Sequence, residues 1–209
     1  MTALFDMDGT LFAGDSQLHF AKWVLRRHPL RWLCMAAILP GLLLRLLHII
    51  NDEQMKRLFL SYAWRMPADQ LRTECRAFVQ QRLLPSLYPA VLSRLRDHQA
   101  AGHRTVLCSA SPDWWTLYVG EELGFTHSIA TPVPIGKRVT FLPPIPHPGN
   151  NRGHAKITRL AAIGISSAEY AYSDSVADTP MLTLCSHPVL INPNKKLRAL
   201  FPQAEIITQ

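Results

Sequence analysis

Two carboxylates stand two residues apart in the stretch DMDGT: Asp6 and Asp8. In a loop turning out of a strand, both can face one point, so that one attacks while the other exchanges a proton. Gly9 permits the tight backbone such a loop needs, and the Thr10 hydroxyl can meet a phosphate oxygen. YSDSVAD contributes Asp174 and Asp178. Carboxylates gathered this closely repel one another unless a cation sits among them, and hard oxygen donors beside a phosphate point to Mg²⁺. SAS at 109–111 offers Ser109 and the backbone N–H of Ala110 to phosphate oxygens near a helix start. Lys156 supplies a positive charge to balance a transferring phosphoryl group. Taken singly, each piece has an ordinary reading: an Asp-rich turn, a helix cap, a solvated lysine. Their order along one chain is what makes a site.

The elements that would position these groups follow from pattern. TALFD at 2–6 is a short apolar run ending in an acid, as a buried strand does. Leu18, Ala21, Val24 and Leu25 recur at helical spacing, and so do Leu71, Cys75, Phe78, Val79 and Leu83. TVLCSASP at 105–112 reads as a strand, with Ser111-Pro112 as the start of a helix carrying Trp115, Val119 and Leu123 on its inner face. Residues 126–150 read as a hairpin turning near Gly136, followed by a Pro-rich loop. HAKITRLAAIG at 154–164 reads as a helix and EYAYSD at 169–174 as a strand; Asp178-Thr179-Pro180 starts a short helix, and VLIN and EIIT are late strands. One strand, about 80 residues of helix, and then strands alternating with helices give an α/β fold: a Rossmann-like parallel sheet with a helical insertion after the first strand. In such sheets chemistry gathers beyond the carboxyl ends of the strands.

Bulk composition agrees with a folded enzyme. Of 209 residues, 48% are hydrophobic and 18% charged, enough to bury a core. The net charge of +7 is local: between Phe20 and Ala77 stand ten Lys/Arg and four Asp/Glu. That surplus flanks RWLCMAAILPGLLLRLLHII at 31–50 and favours an anionic lipid surface over nucleic acid as a partner. Trp32 to Leu44 is an uncharged run of 13 residues, about 20 Å as a helix against a hydrocarbon core of ~30 Å. With Pro40-Gly41 expected to break it, the segment reads as a short hairpin, packed in the insertion's core or lying at a membrane interface, rather than a span. Four cysteines without metal-like or disulfide-like spacing fit a reducing, cytoplasmic setting, on the inner face of a membrane if the segment touches one. No cleavable leader is expected, because residues 1–12 hold no basic region and the loop already begins at Asp6.

DMDGTLF, LCSASP, GHAKITRL and YSDSVADTPML resemble the four motifs of the haloacid dehalogenase superfamily of phosphohydrolases. The helical block resembles the type-1 cap of the phosphoserine phosphatase-like subclass. RRHPLRWLCMAAILPG and the tail YSDSVADTPMLTLCSHP are also similar to the phosphatidylglycerophosphatase C family of lipid-phosphate phosphatases. The resemblance implies an α/β core over residues 1–14 and 89–209 and a cap over 15–88. It implies Asp6 as nucleophile forming an aspartyl-phosphate and Asp8 as acid and base, its pKa raised by neighbouring carboxylates. It further implies Mg²⁺ on the Asp6 side chain, the Asp8 carbonyl and Asp174; Asp178 orienting ligands or Lys156; and Thr10, Ser109, Ala110 and Lys156 around the phosphate. Asp15, nine residues after Asp6, is in position to recognise a substrate amine, or simply to cap the next helix. The expected activity is a Mg²⁺-dependent phosphomonoesterase, with a lipid-linked phosphate such as phosphatidylglycerophosphate as leading substrate. A phosphoserine- or histidinol-phosphate-like small molecule, or transfer to an alcohol on the same fold, is the alternative.

Overall fold

A computed structural model describes residues 1–36 and 38–209. In chain order the strands and helices are β1 (Thr2–Phe5), α1 (Ser16–Arg27), α2 (Trp32–Met35), α3 (Ile38–Leu46), α4 (Asp52–Phe59), α5 (Ala68–Phe78), α6 (Pro89–Ala100), β2 (Arg104–Pro112), α7 (Asp113–Glu122), β3 (His127–Thr131), α8 (His154–Ala162), β4 (Ala168–Ser173), α9 (Thr179–Thr183), β5 (Cys185–Ile191), α10 (Lys195–Leu200) and β6 (Glu205–Ile207). The six strands form one sheet in the order β3-β2-β1-β4-β5-β6, and every pairing is parallel. The order reverses at β1: chain progress runs outward through β2 and β3, then resumes with β4 on the other side. A crevice therefore opens beyond the carboxyl ends of β1 and β4.

Both sheet faces are covered. On one, Phe5, Trp115, Val119 and Leu107 join a large apolar cluster with Phe20, Tyr62 and Phe78 from the insertion. On the other, Leu4, Val106, Leu160, Met181 and Leu190 form a second cluster. The Phe20 ring lies 4.8 Å from that of Trp115, so α1 is seated on α7. The insertion leaves and rejoins the sheet through one neck: Phe12 bridges Leu87 antiparallel, and Tyr88 N–H donates to the Leu11 carbonyl at 2.7 Å.

Five sequence expectations require correction. Pro40-Gly41 breaks nothing: α3 runs through both. Gly41 is buried because the Leu58 side chain lies where its Cβ would be, at 2.1 Å. The segment is not packed into the insertion's core either. Gly41 alone is buried among the described residues of Pro29–Leu46, while Leu30, Leu33, Leu39 and Leu46 are each at least 74% exposed. By length and composition this stretch is able to cross a membrane, with 18 residues at a mean hydropathy of 1.4. No hairpin forms over 126–150: its first piece is β3, an edge of the main sheet, and Val139 in its second pairs instead with Arg65 and Met66 of the insertion. Finally, β2 extends to Pro112, and α7 begins at Asp113. Leu18, expected on the inner face of α1, is 48% exposed.

Candidate active site

β1 ends at Phe5 and delivers Asp6 into the crevice, with the Asp6 N–H donating to the Tyr172 carbonyl of β4 at 3.0 Å. The first turn of α8 brings Lys156 beneath it. Lys156 Nζ lies 2.6 Å from Asp6 Oδ1 and 2.8 Å from the Asp178 carboxylate, and all three side chains are buried. Ser173 Oγ donates to Asp178 at 2.8 Å. A buried lysine between two carboxylates is a high-stakes arrangement: removing Lys156 leaves two carboxylates without water or a counter-charge. Burial would lower the Lys156 pKa, but Asp178 and Asp6 outweigh it and hold the ammonium above its ordinary range. Burial pushes the Asp6 carboxyl up to about 8, against the pull of Lys156.

Thr10 ties two strand ends together. Its hydroxyl lies 3.4 Å from Asp6 Oδ2 and 3.2 Å from Asp174 Oδ1, and accepts from the Asp174 N–H at 3.1 Å. It is thus engaged by carboxylates rather than open to a phosphate. Gly9 has φ +76°, and a Cβ there would fall 2.2 Å from Asp174 Oδ2, so DMDGT needs its glycine twice over. Burial raises Asp174 to about 6.

Asp8 is held by groups that its own motif does not announce. Ser16 N–H donates to Oδ1 at 2.7 Å and Ser111 Oγ donates to Oδ2 at 2.5 Å. Ser16 Oγ stands 3.0 Å from Ser111 Oγ and accepts from Trp115 Nε1 at 2.9 Å. Indole N–H only donates, which orders the chain: Trp115 to Ser16, Ser16 to Ser111, Ser111 to Asp8. The Asp8 pKa is raised, as expected, but chiefly by burial; Asp15 is the carboxylate that adds to it, and the two serines oppose it.

Ser109 is fully buried and its Oγ accepts from the Ser111 N–H at 3.0 Å, so Ala110 and Ser111, not Ser109, line the cleft. Asp15 is the N-cap of α1, accepting from Gln17 and Leu18 N–H, and it also borders the cleft. The cleft itself holds about 500 Å³. Its roof comes from α4 of the insertion: Met55, Lys56 and Phe59. Lys56 Nζ reaches the Ala110 carbonyl and, at 2.8 Å, Asn150 Oδ1. Burial lowers its pKa to about 8. Arg152 adds a third cation, so the Pro-rich loop ends at the cleft's rim. Lys56, Ser16 and Arg152 carried no sequence signal, because what gathers them is tertiary.

Six carboxylates (Asp6, Asp8, Asp15, Asp52, Asp174 and Asp178) face three cations in this cleft. Among the described residues, no three carboxylate, thiol or imidazole side chains close a metal cage by themselves. Mg²⁺ asks for less, taking one or two carboxylates and completing its shell with water and phosphate oxygens. Asp6 and Asp174, flanking one hydroxyl and pushed up by burial, are a donor pair that fits it.

Residues 3–183 match the model of the haloacid dehalogenase-like hydrolases. The chain belongs to that family. This hydrolase is 29% identical over 203 residues to a probable phosphatase of Mycobacterium tuberculosis, covering 94% of this chain and 70% of that protein. It is 26% identical over 213 residues to a histidinol-phosphatase of Neisseria meningitidis, covering 93% and 91%. In structure it resembles a protein of unknown function from Bordetella pertussis, with TM-score 0.81, 26% identity, and 99% and 97% coverage. A phospho-aspartyl intermediate analogue of phosphoserine phosphatase shares the fold, with TM-score 0.58, 15% identity, and 98% and 91% coverage. The chain is a phosphatase of the haloacid dehalogenase-like family.

Proposed function

We propose that the chain is a Mg²⁺-dependent phosphomonoesterase working through an aspartyl-phosphate. The observation that carries this is the Asp6–Lys156–Asp178 cluster at the sheet's switch point, with Asp8 alongside. Lys156 holds Asp6 Oδ1, leaving Oδ2 to attack phosphorus. As that P–O bond forms and the ester P–O bond breaks, Asp8 gives its proton to the leaving oxygen. Asp8 then takes a proton from a water that attacks the aspartyl-phosphate, releasing inorganic phosphate and restoring the Asp6 carboxylate. Burial, by raising Asp8, supports a carboxyl that can carry that proton. The Asp6 side chain, the Asp8 carbonyl and Asp174 would hold Mg²⁺, which when bound supplies positive charge to offset that of the transferring phosphoryl group. Asp178 keeps Lys156 in place, and Lys156 with the Ala110 and Ser111 edge meets the phosphate; Ser109 supports that edge through the Ser111 N–H. Residues 15–88 act as the cap and 1–14 with 89–209 as the core, divided at the Leu11–Tyr88 neck.

For substrate we favour a lipid-linked phosphomonoester such as phosphatidylglycerophosphate, handled at the inner face of the cytoplasmic membrane. Support comes from the exposed apolar segment. α3 leans on Leu58 and Met55 of α4, and Met55 lines the cleft, so the apolar face lies one helix from the cleft. The relationship to the histidinol-phosphatase favours a second reading, a small polar ester, with Asp15 and Lys56 as its recognition groups. The deciding experiment measures phosphate release from phosphatidylglycerophosphate, phosphoserine and histidinol phosphate, with Mg²⁺ and with chelator. The lipid reading expects a clear preference for the first. Faster turnover of either small ester defeats it, and metal-independent release defeats the mechanism.

A further inference from the structure

A second cavity, of about 580 Å³, opens on the insertion away from the catalytic cleft and shares no residue with it. Its floor is apolar: Trp23 and Phe78, both buried. Its wall is cationic: Lys22, Arg26, Arg27 and Arg82. Arg27 lies over the Trp23 ring at 3.7 Å and is 3.7 Å from Glu74. Glu74 is further occupied by Trp23 Nε1 and His28. Among the described residues, Lys22, Arg26 and Arg82 have no carboxylate within 4.0 Å and make no side-chain hydrogen bond. Three such cations border one concavity, and an anion entering it meets positive charge from α1 and from Arg82. We propose that this cavity binds a phosphate-bearing anion. Arginine forks match phosphate oxygens two at a time, while the Trp23–Phe78 floor accepts an apolar or planar substituent. The same helix, α1, borders the catalytic cleft with Asp15, Gln17 and Leu18 and this cavity with Lys22, Trp23, Arg26 and Arg27. Just past Arg27 the chain enters the exposed apolar stretch at Leu30. A free phosphate compound and a phospholipid headgroup present the same chemistry to this cavity.

The test uses the full chain and its K22E/R26E/R82E variant, with K22A/R26A/R82A as a second variant and circular dichroism confirming the fold of both. Equilibrium dialysis against labelled inorganic phosphate reads the free anion. Co-sedimentation with vesicles of phosphatidylcholine, or of phosphatidylcholine with phosphatidylglycerol, reads the headgroup. The catalytic cleft is intact in all three proteins, so only the difference between them counts. The wild type is expected to bind at least about tenfold more tightly than the charge-reversed variant in one or both arms. A difference confined to dialysis assigns a soluble phosphate compound, and one seen with anionic vesicles but not neutral ones assigns a headgroup. Equal binding by the wild type and both variants, to phosphate and to anionic vesicles alike, overturns the site.

Discussion

The catalytic floor and the segment at 29–49 break the same rule in opposite directions. In the floor, charged groups lie out of water: Asp6, Lys156 and Asp178 are each less than a tenth exposed. In the segment, apolar groups lie in it: Trp32, Leu33, Leu39, Leu43, Leu47 and Ile49 are each more than half exposed. The floor is held from every side, by β1, β4, α8 and the turn before α9. The segment touches the rest mainly where α3 leans on α4 and where Arg31 reaches the Tyr62 and Trp64 carbonyls. A buried charge costs stability unless paired, and an exposed apolar face costs solubility unless covered. The first cost is offset within the chain. The second is not. The difference separates a site finished by the chain's own residues from a face that those residues leave unfinished.

Breaking the finished site has the largest expected effect. On the proposed mechanism Asp6→Asn removes the nucleophile while keeping its shape, and turnover of p-nitrophenyl phosphate should fall by about a thousandfold or more. Wild-type turnover in that variant would show that the floor is not catalytic. Asp8→Asn removes the acid and base while retaining acceptors for Ser16 and Ser111, with an expected loss of about 10²- to 10⁴-fold in kcat. That loss should shrink when the leaving group needs little protonation, which comparing alkyl and nitrophenyl esters will read.

The unfinished site should behave oppositely. Leu39→Ser with Leu43→Ser strips exposed side chains, so a denaturant titration should shift by no more than about 0.5 kcal/mol per site. Flotation with anionic liposomes, by contrast, should be lost. Equal flotation of variant and wild type would remove the membrane from the comparison. The smallest effect sharpens the floor's support. His98, between His103 and Tyr172 Oη, has its pKa lowered from 6.5, first by burial and then by His103, with Arg94 adding to it and Asp97 opposing. The unfolded chain then binds the proton more readily, so stability declines as pH falls below 6.5 toward the folded-state value. Melting temperature should drop by a few degrees over that window, and His98→Gln should flatten the slope.

The sheet was readable because its signals are local. Apolar runs at 2–5 and 105–108, and helical spacing at Leu71–Phe78, are each set within a dozen residues. The motif acids were readable because strand ends turn sharply where polar residues follow. Misreadings arose where distant chain decides. Val139 pairs with Arg65 and Met66, so its neighbours suggested a hairpin that does not form. Leu18 has helical spacing, yet its side of α1 faces the cleft rather than the core. Pro40 reads as a breaker, yet α3 runs from Ile38 through it to Leu46. Burial, rather than adjacent acids, dominates the Asp8 pKa, and burial is a property of the fold.

The neck at Leu11 and Tyr88 has a consequence for how such a chain can change. The insertion leaves and returns at one point, so its length puts no strain on the strands beside it, while its α1 rests on α7 through Phe20 and Trp115. Closure entropy grows slowly, about 0.6 kcal/mol for each doubling of loop length. Residues added to the insertion away from α1 and α4 are therefore carried at little cost to β1 or β2. Ser16, Phe20 and Lys56, which touch the core, are the residues such a change must leave in place.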